Sequence, residues 1–164
     1  MRVDSGHMNP ENYEAAPALA SVVWWRRFPS VTGSAPAARR ATHAALAGWG
    51  VEGCGVGHSA LVASELMTNA VRHGHVPGRL VELRLTYDLE KALTVEVSDA
   101  GDGRPPPEAG HTVDVGLAES GRGLTLVAAF AEAWGVADRA VGKTVWARLL
   151  VGPAWARHDG RPRL

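Results

Sequence analysis

The stretch Ser64–Gly74, SELMTNAVRHG, places two different demands on one predicted helix. Glu65, Asn69 and His73 recur every fourth residue, so about 40° separates successive members around the axis. A carboxylate, an amide and an imidazole therefore share one narrow strip. Val62, Leu66, Met67, Ala70 and Val71 fill a broad apolar arc that begins beside it. A solvated face explains such a strip on an isolated helix. A strip that borders the buried edge asks instead for a ligand. The helix is expected over roughly 56–73, with Gly74 as its C′ residue and HGHVPG as turn chemistry.

On the C-terminal side, Arg79–Asp88 (RLVELRLTYD) alternates at period two, setting Leu80, Glu82, Arg84 and Thr86 opposite Val81, Leu83, Leu85 and Tyr87. Ala92–Ser98 alternates again after a turn at Glu90-Lys91, which predicts a β-hairpin. Asp99–Ser120 reads as a long loop, with three consecutive prolines at 105–107. A helix is expected from Gly121 to Ala133, with Leu124, Val127, Ala128 and Ala131 on one side. Strands at Trp134–Ala137 and Thr144–Val151 complete that half. On the N-terminal side, Ser21–Phe28 (SVVWWRRF) suits an edge strand, and Pro36–Trp49 a helix burying Ala38, Ala41, Ala45 and Leu46. Residues 1–18 are expected to be a disordered leader, 19–152 one domain, and 153–164 a loose tail.

Composition narrows the classes. With 164 residues and 46% hydrophobic content, the chain can bury one substantial core. Seventeen basic residues balance seventeen acidic ones, against a nucleic-acid binder that relies on a basic face. No apolar run approaches the roughly 20 residues that span a bilayer, and the N-terminus lacks the order of a signal peptide. Cys54 is the only cysteine, so an internal disulfide is impossible and a cytoplasmic protein is expected.

Three features carry chemistry. Asp99 ends a strand in the run SDAGDG, where a carboxylate can accept from an amino group and Gly101 lets a flat ring approach the backbone. A plain surface turn explains the same residues. Gly121-Arg122-Gly123-Leu124 opens a helix, where free amides cradle phosphate; a flexible hinge is the bland alternative. Asn69 offers a neutral oxygen to a hard cation such as Mg²⁺, and Glu65 could accept a hydroxyl proton. Gly142-Lys143-Thr144 looks like the end of a Walker A loop, but Ala137 stands where that motif needs glycine, and a strand pattern follows. His58, His73, His75 and Cys54 match no strong zinc spacing. Of six tryptophans, most should be core, with Trp24 or Trp25 as possible partner anchors.

The order ExxxN, DxGxG, long loop and GxG before a helix resembles the Bergerat ATP-binding fold of the GHKL superfamily. SELMTNAVRHG, SDAGDGRPP, SGRGLTLV and GKTVWARL look more narrowly like its anti-sigma-factor serine/threonine kinase branch, in the actinobacterial form, over roughly Val22–Val151. The resemblance implies an α/β (α+β) two-layer sandwich, with a mixed, mostly antiparallel sheet carrying helices on one face. It implies ATP and Mg²⁺ as ligands. Asn69 corresponds to the metal ligand, Glu65 to the catalytic base, and Asp99 to the adenine-binding aspartate, with Gly101 and Gly103 in the adjoining turn. Arg104–Ser120 corresponds to the ATP lid, although its prolines are stiff for a mobile flap. Gly121 and Gly123 match phosphate-side glycines, with Arg122 and Leu124 beside them; the resemblance also implies His73 near the phosphates and Thr144 near adenine.

The implied function is an anti-sigma factor that phosphorylates a serine of a STAS-type anti-anti-sigma protein. A sigma factor is the second partner, homodimerisation through the N-terminal strand and helix is suggested by relatives, and neither nucleic acid nor membrane is bound directly. The alternative is an ATP-dependent binding module without phosphoryl transfer. A histidine-kinase catalytic module is disfavoured, since no dimerisation helix with a phosphoacceptor histidine precedes the domain.

Overall fold

The computed structural model describes residues 21–88, 91–102 and 119–151, the side chains of 119–122 excepted. The chain runs β1 (Val22–Pro29), α1 (Ser34–Gly48), α2 (Cys54–His73), β2 (Leu80–Tyr87), β3 (Ala92–Asp99), α3 (Glu119–Phe130), β4 (Ala133–Asp138) and β5 (Lys143–Leu150). The expected leader at 1–18, the tail at 153–164, Gly103, Glu90, Trp155 and the lid as far as residue 118 lie outside the described residues.

Five strands form one sheet in the order β1-β2-β3-β5-β4. Every described pairing is antiparallel, so the expectation of a mostly antiparallel sheet holds. β1 is an edge strand, as its β-branched and aromatic run suggested. The alternation read in β2 decides which face is covered: Val81, Leu83 and Leu85 are buried, and so are Val95 and Val97 of β3 and Val145, Ala147 and Leu149 of β5. Register aligns these rows, with Leu83 opposite Val97, and Val97 opposite Val145. α2 lies over that face, contributing Val62, Ala63, Leu66, Met67 and Ala70 to the core at 3% exposure or less. α1 presents Ala38, Thr42, Ala45 and Leu46, an i, i+4, i+7, i+8 face. The buried Thr42 hydroxyl donates to the Ala38 carbonyl at 2.9 Å, which satisfies it inside its own helix. Trp24 packs against the core, whereas Trp25, one residue on, is 58% exposed.

Four local expectations need correction. α3 starts at Glu119, so the two residues before Gly121 belong to the helix and not to the loop, and it ends at Phe130. Ala133 opens β4. Ala128 is exposed and Ala131 half-buried, so of the four expected residues Leu124 and Val127 are the buried pair. Gly74 has φ −113°, which any residue adopts, so it is not a left-handed cap. Its reason for being glycine lies elsewhere in the fold.

Candidate functional site

A β-carbon on Gly74 would run into the carboxylate of Asp99, and one on Gly101 would lie 2.5 Å from Gly74 Cα. The end of α2 and the turn after β3 are thus in backbone contact, possible only because both positions lack a side chain. Asp99 is 3% exposed. Its Oδ1 accepts from the Gly101 amide at 2.9 Å and from Lys143 Nζ at 3.0 Å. Its Oδ2 is buried without a hydrogen-bond partner. A buried acceptor left open costs free energy comparable to a lost hydrogen bond, so an amino group arriving there fits the site.

One turn and two turns back along α2, the polar strip meets α3. A β-carbon on Gly123 would stand 2.7 Å from Glu65 Oε2 and 3.7 Å from Asn69 Oδ1. Glycine at 123 therefore lets the backbone of α3 pass directly over the carboxylate and the amide. Asn69 Nδ2 is likewise buried without a partner. Its oxygen is a hard neutral donor of the kind Mg²⁺ accepts, and Mg²⁺ needs few protein ligands when phosphates supply the rest. Among the described residues no group of three or more His, Cys, Asp or Glu could hold a metal.

Of the candidate residues, the fold brings Gly123 against Glu65 and Asn69 on α2, and Asp99 and Gly101 against Gly74 at the end of that helix. Gly121 and Arg122 lie in the first turn of α3. Leu124 is 4% exposed and part of the apolar core. His73 is exposed at the last position of α2. Thr144 points away from the helices, and its hydroxyl pairs with Ser98 Oγ at 2.8 Å on the other face of the sheet. The residue that meets Asp99 from β5 is its neighbour Lys143, which sequence reasoning dismissed along with the Walker A loop. The signal that could have found it is the alternation of β5: if Val145 faces the core, Lys143 does too.

A cavity of about 420 Å³ opens beside Gly101, Gly142 and Lys143, with Asp138 and Arg139 on its rim. It borders the Asp99 end of the site and not Glu65 or Asn69.

The family model for the histidine kinase-like ATPase domain matches residues 28–149. The chain belongs to that family. The match runs from the end of β1 into β5 and so includes α2, β3, α3 and the start of β5, the elements of this histidine kinase-like ATPase domain that line the site. Among solved structures, the histidine kinase domain from Erythrobacter litoralis EL346 blue-light activated histidine kinase is similar at 23% identity and a TM-score of 0.49. That similarity covers 65% of this chain and 49% of the other, so the chain spans about half the length of that protein. Comparison with curated proteins gives no match. No described helix is long and apolar enough to cross a membrane.

Proposed function

We propose that the chain binds Mg²⁺-ATP and transfers its terminal phosphoryl group to a serine or threonine of a STAS-type anti-anti-sigma protein, acting as an anti-sigma factor in the cytoplasm. The observation that carries the nucleotide part is the convergence on α2: Glu65 and Asn69 under Gly123 at one end, and a buried Asp99 with an open Oδ2 at the other. The finer assignment to an anti-sigma kinase is supported by the motifs SELMTNAVRHG, SDAGDGRPP and GKTVWARL.

In this reading Asp99 and Gly101 receive the base, and Asn69 Oδ1 holds the metal. Mg²⁺ supplies neutralisation of phosphate charge. Glu65 accepts the proton of the incoming hydroxyl, its half-buried carboxylate kept clear of α3 by the missing side chain at Gly123. The first-turn amides of α3, from Glu119 to Gly121, face developing negative charge with the positive end of the helix dipole.

The test is incubation of the full chain with γ-labelled ATP and genuine STAS partners. Label on a partner hydroxyl, abolished in Glu65→Ala with ATP affinity retained, is the expected result. ATP binding without transfer to any genuine partner sinks the kinase assignment and leaves an ATP-dependent regulatory module. Undiminished Mg²⁺-ATP affinity in Asn69→Ala removes the metal-ligand role.

A further inference from the structure

We propose that Lys143 is a positioning residue for base recognition: by filling Oδ1 of Asp99 it leaves Oδ2 as the single open acceptor, so the pocket selects a purine that donates at that point. This rests on the nucleotide reading above and extends it to a residue to which the resemblance assigned no role.

Asp99 and Lys143 are direct cross-strand partners on β3 and β5. Both side chains are buried, at 1% and 6% exposure, with Nζ 3.0 Å from Oδ1. A buried ion pair is a weak device for stability, because desolvating two charges offsets most of their attraction. What such a pair does supply is a fixed geometry. The Gly101 amide and Lys143 Nζ converge on the same oxygen, and Nζ also reaches the Gly101 carbonyl at 3.5 Å. The carboxyl group is thereby held against rotation, with Oδ2 buried and without a hydrogen-bond partner.

The backbone that delivers Lys143 is itself pinned. Gly142 has φ +74°, and a β-carbon there would sit 2.6 Å from Ala100 Cα, so the β4–β5 turn is pressed on the end of β3. Lys143 and Gly101 also border the cavity beside the pair. A 6-amino purine places a donor on Oδ2. A 6-oxo purine places an acceptor there, and a purine without a 6-substituent leaves the carboxylate oxygen open. Removing the ammonium leaves a buried carboxylate that must draw in water or be held neutral. A neutral carboxyl accepts less strongly than a charge-assisted one.

The experiment is equilibrium binding of ATP and of purine riboside triphosphate, which lacks the 6-amino group, to the parent chain and to Lys143→Met, both with Mg²⁺. The parent is expected to prefer ATP. Lys143→Met is expected to lose about tenfold in ATP affinity with the analogue unaffected, so the preference collapses; Lys143→Arg is expected to restore part of it. Because both nucleotides are read on the same folded molecules, the ratio is insensitive to a partly unfolded population. If Lys143→Met fails to fold by circular dichroism, Lys143→Gln, which keeps a neutral donor, is read by the same ratio. Equal loss for both nucleotides, or an undiminished preference, overturns the proposal. A parent that binds both equally overturns it too while sparing the nucleotide reading, whereas a parent that binds neither overturns both.

Discussion

Asp99 and Lys143 are 44 residues apart in the chain and 3.0 Å apart in the fold, paired across β3 and β5 in a setting that is almost dry. Around this pair the end of α2 closes at Gly74, and the turn after β3 closes at Gly101. The consequence is a carboxylate that can neither swing away nor satisfy its second oxygen internally.

Gly74→Ala is expected to destabilise the protein by about 1–3 kcal/mol, the range for overpacking a tight contact. The new methyl would meet the Asp99 carboxylate, which cannot yield because Lys143 and the Gly101 amide hold it. Denaturant unfolding measures the loss, and ATP affinity should fall with it. A variant as stable as the parent would mean that the contact relaxes freely.

Gly123→Ala should behave differently. Here the methyl meets the far end of Glu65, a flexible side chain that can move at little cost. Alanine also has the better helix propensity, by up to about 1 kcal/mol. The melting temperature is therefore expected to hold or rise while phosphoryl transfer falls, because the displaced carboxylate no longer faces the incoming hydroxyl. Thermal unfolding and the label-transfer assay, run together, check the split.

Neighbouring positions on α2 should give opposite profiles. Leu66 is fully buried, and Leu66→Ala is expected to cost about 2–5 kcal/mol in unfolding free energy. Glu65 is half-buried on the polar strip, and Glu65→Ala should lie within about 0.5 kcal/mol of the parent while transfer is lost. Similar stability losses in both would argue that the strip is structural.

His58 stacks on Phe130 with ring centroids 4.1 Å apart, joining α2 to the end of α3. Burial holds its pKa below the ordinary histidine value. The folded state thus prefers the neutral ring, and the unfolded chain binds the proton first as the pH drops. Stability should be full above about pH 6.5 and decline below it, down to the folded-state value. His58→Phe is expected to flatten that decline in melting temperature between about pH 7 and pH 5. An unchanged slope would assign the acid sensitivity to other groups.

Much of this architecture is legible locally. The period-two runs at Leu80–Tyr87 and Ala92–Asp99 dictate two strands and their buried faces, because successive side chains on a strand must alternate. The four-residue spacing of Glu65, Asn69 and His73 dictates a polar strip on a helix whatever else the chain does. The strand that follows Gly142-Lys143-Thr144 is also foreshadowed in its own alternation, which is why a phosphate loop never fitted there. These features depend only on neighbours within a turn or two.

The tertiary structure decided what no local pattern carries. Whether Gly74 was a cap or a contact depended on where Asp99 would be brought, and its φ of −113° shows that closeness, not handedness, is the requirement. That Lys143 shares the covered face with Val145 was legible in the alternation of β5, but that it lands directly opposite Asp99 depended on the register of β5 against β3. Sequence by itself thus determined the elements and the residue types available for nucleotide chemistry. Only the packed sheet, through its register, decided that Lys143 stands directly against the Asp99 carboxylate.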